Sequence, residues 1–379
     1  MYYLDQARFR QFIPSKPLIR LRPFGRERTI VRALLIAYFC VSVFTFYQVV
    51  VNYTLLRRQA WKWTALTPLE ACRSDGTVPY AYVFYATRDD YFCHAAVNVL
   101  RMHRKLNMTE ECDIVIVMGI TMNTHEYINR YPLLTTLGDR VRLIRTHQIG
   151  HIQKGTNDYY KESPLKLGVF GLYKCYKRIV FMDSDGLVLR NLDHLFTMDL
   201  WPFDGKKPFF AAAGATLEYD TYQSPPPPPP KPPIWFTSSF FVVDLSKDLY
   251  DQFMNASRSI DDVEKYLEES GKRGPVYDME IFNYVFRQGE RIKLLPPEYV
   301  RYDLFFGSGH RLEEKEAVYY VHYSFRKPFY HHDTKDFIDL IRTAKDPRRL
   351  KWPYEMYMLY VDFWLEAYDV CFYSDRVWG

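Results

Sequence analysis

Two carboxylates one residue apart, Asp183 and Asp185, close an apolar run from Ile179 to Met182. In an extended backbone, residues i and i+2 point to one side. Carboxylates held that close repel one another unless a cation sits between them. A divalent ion is the usual partner, and hard oxygen ligands suit Mn²⁺ or Mg²⁺. Such an ion neutralises a diphosphate in turn. The chemistry this pair points to is therefore transfer at a phosphate-bearing substrate.

Two enzyme classes use such a pair. In phosphatases of the haloacid dehalogenase type, the first Asp of DxDG is the nucleophile, and DSDG (183–186) matches that pattern. There the motif belongs on the first strand of the domain, whereas residues 80–177, with several candidate strands, precede it here. In metal-dependent sugar-nucleotide transferases the pair follows a nucleotide-binding half. A third reading, a membrane-tethered sugar-binding or scaffold protein, keeps the pocket and not the turnover.

The elements that must place these residues are legible as short apolar runs. YAYVFYAT (80–87), DIVIVMG (113–119), VRLIRT (141–146) and RIVFMDSD (178–185) read as buried strands, and HAAVNVLRMHRKL (94–106) and LKLGVFGLYKCY (165–176) as helices. Strands that are continuously apolar and alternate with helices predict a parallel sheet covered on both faces. In such sheets ligands bind beyond the carboxyl ends of the strands, where Asp183 and Asp185 fall. Further strands are predicted at 208–214, 235–245 and 317–325, and helices at 278–288 and 354–372. Between them, SPPPPPPKPP (224–233) reads as a stiff surface insertion that cannot join a sheet.

The block from Ser163 to Phe196 resembles the centre of the retaining glycosyltransferases of family 8, the glycogenin-like group. It has the order Lys166, helix, apolar strand, Asp183 and Asp185, Leu187–Leu189, Asn191-Leu192-Asp193 and Leu195-Phe196. The resemblance runs over roughly residues 80–330. It implies an α/β fold with one Rossmann-like nucleotide-sugar transferase domain of the GT-A type and a mixed central sheet. It also implies a UDP-sugar donor, Mn²⁺ (or Mg²⁺) and a glycan or glycoprotein acceptor. Thr87 and Tyr91 take the places that hold the uracil, with Arg88 where members often have Asn. Thr237-Ser238-Ser239 stands where the family has Asn-Ser-Gly beside the sugar. Asp278 opens the counterpart of a DQ-x-x-L-N helix, with Met279 in place of Gln. Asp183, Asp185 and His322 become the metal ligands. Thr87, Tyr91, Lys166, Asp183, Ser184 and Lys327 become the nucleotide contacts, and Asp278 and Lys166 the catalytic pair. Within the family, the aromatic-rich, membrane-anchored form looks most like fungal Golgi N-acetylglucosaminyltransferases, so GlcNAc, glucose or a similar sugar is the implied cargo.

Physical roles follow from residue type. Imidazole with carboxylates suits Mn²⁺, a Lewis acid for a departing nucleotide. Lys166 and Lys327 would stabilise the charge growing on the diphosphate. Asp278 would lie beside the anomeric carbon or orient the acceptor hydroxyl. Glu280, two positions further along a helix, is expected to face elsewhere.

Charge is unevenly distributed. Residues 1–32 carry eight basic and two acidic residues, a net +6, which leaves −1 for the other 347 residues of a chain of net +5. That argues against a basic nucleic-acid face on the main domain. Next comes ALLIAYFCVSVFTFYQVVV (33–51), 19 residues without a charge, about a bilayer's thickness as a helix. The excess of basic residues before it predicts a single-pass type II protein with residues 1–32 in the cytoplasm. A stem (52–78), the transferase domain (79–345) and an aromatic helical segment (346–379) are then expected on the lumenal side, which the resemblance implies to be that of the Golgi. A cleaved signal peptide fits poorly, because the apolar run begins so far from Met1.

Of six cysteines, Cys40 lies in the anchor, and the others (Cys72, Cys93, Cys112, Cys175, Cys371) show no zinc spacing. One or two disulfides with at least one free thiol are expected in an oxidising lumen. Asn107-Met108-Thr109 and Asn255-Ala256-Ser257 match the N-glycosylation pattern, as does Asn52-Tyr53-Thr54 beside the membrane.

Overall fold

The computed structural model divides the chain into two compact units, Met1–Leu55 and Leu56–Gly379. It describes residues 36–45 and 47 of the first unit. In the second it describes most of 78–145, then 163–200, 210–214, most of 235–302, 318–323, and residues 363, 366, 367, 370 and 371. In the first unit, residues 36–45 are helical and Ile36, Phe39, Val43 and Phe44 are exposed. Among the described residues no helix is long and apolar enough to cross a membrane. The expected anchor over 33–51 extends beyond them, and the proline run 225–230 lies outside them altogether.

The second unit is built on one seven-stranded mixed sheet. Its strands are β1 (Tyr80–Ala86), β2 (Cys112–Met118), β3 (Val141–Arg145), β4 (Arg178–Asp183), β6 (Phe210–Gly214), β7 (Phe236–Asp244) and β8 (Ile292–Leu294), in the order β3-β2-β1-β4-β7-β6-β8. The first four are parallel, as their apolar runs predict. β7 then pairs antiparallel with β4, and β6 antiparallel with β7. Strand order reverses at β1: the chain leaves it toward β2 and β3, then returns on its other side as β4. A crevice opens at such a switch point. β5 (Gly186–Val188), β9 (Val300–Tyr302) and β10 (Tyr320–His322) form a second, three-stranded sheet in the order β5-β10-β9.

Alternation along the strands sorts side chains into two cores. Tyr82, Phe84, Ile114, Ile116, Val180 and Met182 face helix α1 (Asp89–Arg104) and the small sheet. Ala81, Val83, Val115, Val117, Ile179 and Phe181 face helices α2 (Lys247–Arg258), α3 (Ile260–Glu269) and α4 (Asp278–Val285). α1 begins five residues before the predicted span, because Asp89 and Asp90 in its first turn favour the positive end of its dipole. Of the predicted C-terminal helix, the described residues Phe363, Ala367, Val370 and Cys371 are buried in the first core. A Cys93–Cys371 disulfide and Glu366, paired with Arg101 and Lys105, fasten it to α1. Cys175 is also disulfide-bonded, and Cys112 is buried and free.

One predicted α-helix is wound differently. Ser163–Lys174 forms a 3-10 helix, in which side chains at i and i+3 eclipse. Gly168 and Gly171 sit three apart and leave one such row nearly bare. A β-carbon on Gly171 would stand 3.5 Å from the Tyr250 ring of α2, so the bare row is also where α2 packs.

Candidate active site

β1 and β4 run in register with Tyr85 opposite Asp183, so the two neighbouring strands end at the same level and Thr87 follows two residues beyond that pair. After Asp183 the chain turns through Ser184 and Asp185 into β5. The Ser184 hydroxyl donates to the Tyr85 carbonyl, and Tyr323 N donates to the Asp185 carbonyl (2.9 Å). β5 is held from both sides. Asn98 of α1 donates to the Gly186 carbonyl (2.8 Å) and accepts from Val188 N (2.9 Å), while β10 pairs antiparallel on its other edge. That pairing sets His322 opposite Gly186.

The result is a three-residue cluster. One ligand atom from each of Asp183, Asp185 and His322 lies within 4.8 Å of the others. His322 Nε2 is 3.2 Å from Asp185 and 3.9 Å from Asp183. Oxygen and nitrogen ligands at roughly 2.0–2.2 Å from one ion are themselves at most about 4.4 Å apart, so small side-chain shifts would let the three share one ion. The donor set, two carboxylates and an imidazole, fits manganese.

Lys166 is neither a solvated helix residue nor free to meet a diphosphate. It is buried, with Nζ 2.8 Å from Asp183 and 2.9 Å from Asp278. Asp278, at the first turn of α4, also accepts from the Ser238 hydroxyl (2.6 Å). Asn283 makes that contact possible. Its side chain accepts from Phe236 N and donates to the Phe236 carbonyl (3.2 and 3.0 Å), which pins α4 to the start of β7. A chain of polar groups, Ser238–Asp278–Lys166–Asp183, thus links β7 to the metal-type cluster.

Electrostatics follow from burial. Burial pushes the Asp183 carboxyl up to about 6; Lys166 works against that shift, and Asp185 adds to it. Burial by itself lowers the Lys166 ammonium, but Asp183 and Asp278 outweigh it and the net shift is upward. Both directions describe a site with more buried carboxylates than cations.

These groups border one cavity of about 510 Å³. Thr87, Tyr91, Lys166, Asp183, Ser184, Asp185, Asp278 and His322 all line it; Lys327 lies outside the described residues. Ser184 differs from its expected use, because its hydroxyl is engaged with β1 rather than turned to a ligand. Glu280 also differs. It lines the same cavity as Asp278, because α4 meets the cavity end-on and presents its whole first turn. There Glu280 accepts from Tyr277 N (2.9 Å) and caps the helix. Ser163, Tyr277 and Met279 line the cavity too. Arg88 stacks over Tyr91, 5.1 Å from its ring centre. The Asn191-Leu192-Asp193 segment lies away from the cavity. Asp193 accepts from Tyr82 Oη, Thr109 N and Asn191 Nδ2 (2.7, 2.8 and 2.8 Å), which makes it a scaffold residue.

No family model matches the chain. Over 123 residues it is 28% identical to glucose N-acetyltransferase 1 of Candida glabrata, which covers 31% of this chain and 24% of that protein. The chain thus matches about a quarter of that relative's length. Among solved structures it is similar to the WbbM bifunctional glycosyltransferase, with TM-score 0.46 and 18% identity over 72% of this chain and 50% of that one. It is also similar to the galactosyltransferase LgtC with donor and acceptor sugar analogues (TM-score 0.45, 13% identity, 71% and 98% covered). Mouse xyloside xylosyltransferase 1 compares alike, with TM-score 0.45 and 17% identity over 66% and 99%. At TM-scores below 0.5 the argument about function rests on the residues of this chain.

Proposed function

We propose that the chain is a metal-dependent glycosyltransferase that moves a sugar from a UDP-sugar to a glycan or glycoprotein acceptor, with retention at the anomeric carbon. The observation that carries this reading is the Asp183–Asp185–His322 cluster lining the same cavity as Thr87, Tyr91, Lys166 and Asp278. Those three residues would hold Mn²⁺ or Mg²⁺, which supplies Lewis-acid stabilisation of the departing diphosphate. Thr87 and Tyr91 at one end receive the nucleobase, with Arg88 beside them. Asp278, Ser238 and Met279 at the other end surround the sugar. With a cation bound, Asp183 would serve it as a ligand, and Lys166, which Asp278 also holds protonated, would supply a positive charge for the leaving group. A preorganised donor of that kind contributes roughly 3–4 kcal/mol to the transition state.

The exposed apolar stretch 36–47 and the basic residues before 33 support a membrane-anchored, type II disposition, with the transferase domain in the Golgi lumen. The Cys93–Cys371 disulfide fits that oxidising compartment.

The test is hydrolysis and transfer with a panel of UDP-sugars, using the purified chain in Mn²⁺ and in EDTA, beside Asp185→Ala and His322→Ala. Metal-dependent release of UDP from one donor, lost in Asp185→Ala and reduced in His322→Ala, is the expected result. UDP release that ignores EDTA and both substitutions would rule the reading out.

A further inference from the structure

Two sequence patterns for N-glycosylation fall on described residues, and the fold treats them differently. Asn107-Met108-Thr109 follows the last turn of α1. Asn107 is exposed and has a left-handed backbone, φ 47°. The turn is fixed without its side chain. Asn191 Nδ2 donates to the Leu106 and Asn107 carbonyls (both 3.2 Å), and Thr109 N donates to Asp193 (2.8 Å). Among the described residues the Asn107 amide itself makes no hydrogen bond, so its nitrogen is open to solvent. Asn255-Ala256-Ser257 lies inside α2. There Ala256 is buried, and Ser257 is 1% exposed with its hydroxyl donating to the Met254 carbonyl (2.9 Å).

We infer that Asn107 carries an N-linked glycan and that Asn255 does not. Acceptor asparagines belong to surface loops. Both asparagines are exposed and both middle residues, Met108 and Ala256, are buried, so the difference lies in the backbone and the third residue: Thr109 is only half-buried in an irregular turn, whereas Ser257 lies inside α2, and presenting it requires the third turn of that helix to open. The reaction is transfer from a lipid-diphosphate-linked oligosaccharide. A bond forms between Asn107 Nδ2 and C1 of the first sugar, and the C1–O bond to the lipid diphosphate breaks. The amide nitrogen gives up one proton, and the lipid diphosphate departs.

Position favours occupancy. Asn107 precedes β2, whose first residue, Cys112, pairs with Tyr80 at the start of β1. The cavity lies beyond the far end of β1, past Ala86, about 20 Å along the strand at ~3.3 Å per residue. A glycan there leaves the cavity mouth open. This inference rests on the lumenal disposition proposed above.

The test uses the full chain expressed in a eukaryotic secretory system, treated with peptide N-glycosidase and mapped by peptide mass spectrometry. Asn107 suits the turn whether or not it is modified, because Asn tolerates the left-handed region. Asn107→Gly is therefore the variant of choice: it keeps the turn and removes the acceptor. Wild type and Asn255→Asp are expected to shift in mobility on deglycosylation, and Asn107→Gly is expected to lose the shift attributable to residue 107. Protease protection in sealed microsomes runs alongside. A protected chain whose Asn107 peptide is unmodified, or one modified at Asn255, overturns the inference alone. A chain digested from outside overturns the lumenal disposition and this inference with it.

Discussion

The phenol of Tyr320 occupies the space where a β-carbon on Gly186 would stand, with its oxygen 2.1 Å and two ring carbons 2.2 and 2.5 Å from that point. The same hydroxyl donates to the Asp183 carbonyl (2.6 Å). Tyr320 therefore clamps the turn carrying two of the proposed metal ligands onto the strand carrying the third. This contact accounts for the glycine of DSDG without a phosphatase.

Gly186→Ala should consequently disable the site. Overpacking of this kind costs about 1–3 kcal/mol, and the displaced ring pulls β10 and His322 from β5. Urea denaturation should show a loss in that range, and Mn²⁺ titration at least a tenfold weaker affinity. Tyr320→Phe keeps the ring and should retain most of the stability while weakening Mn²⁺ binding. Wild-type Mn²⁺ affinity in both variants would refute the clamp.

Removing Lys166 leaves two buried carboxylates without their cation. Breaking a buried pair from one side costs about 3 kcal/mol or more. Lys166→Met should therefore melt well below wild type, and adding Asp278→Asn should restore part of the loss. Turnover should stay about 100-fold or more below wild type in both, because the donor facing the leaving group is gone. Equal stability of single and double variants would deny the Lys166–Asp278 coupling.

Asp183 makes the metal-free protein sensitive to pH. Its carboxyl is raised from the ordinary 3.8 to about 6, burial being the main cause. Between about pH 4 and 6 the folded state therefore holds a proton that the unfolded state has released, and stability falls as pH rises through that window. Mn²⁺ binds the ionised form. The gain in Tm on adding Mn²⁺ should be larger at pH 7.5 than at pH 5.5, as scanning calorimetry would read. A gain independent of pH would place the ion elsewhere.

Cys112 titrates at the alkaline end. Burial, with Asp193 adding to it, pushes its thiol up to about 12. The folded protein keeps this proton above pH 9 while the unfolded chain loses it, so stability declines from pH 9 upward. Tyr82, raised by burial and by Asp193, acts in the same direction. Iodoacetamide at pH 8 should leave Cys112 unmodified in the folded protein and label it after denaturation, as peptide mapping would show. Rapid labelling of the native protein would contradict its burial.

Local pattern was sufficient for much of this molecule. The runs around Val83, Val115 and Val180 specify buried parallel strands, because a strand covered on both faces is apolar at nearly every position; β3, at the sheet edge, keeps Arg142 and Arg145 half-buried. Asp183 and Asp185 after such a run specify a site, because hydrophobic burial ends where two charges begin. Contacts between distant residues were not legible in this way. His322 is expected beside Asp183 and Asp185 from the family resemblance alone, since it reaches Asp185 across 137 positions through the pairing of two three-residue strands, too short to show a period. Glu280 was misplaced because helical spacing states which face a residue occupies, not that the helix meets the cavity end-on. The pairing of Lys166 with both Asp183 and Asp278 depends on α4 docking against β7 through Asn283. The sequence by itself determined which residues are apolar, which are charged and where the backbone turns. Only the tertiary structure decided which charges share one desolvated space, because that is settled by packing across the whole chain.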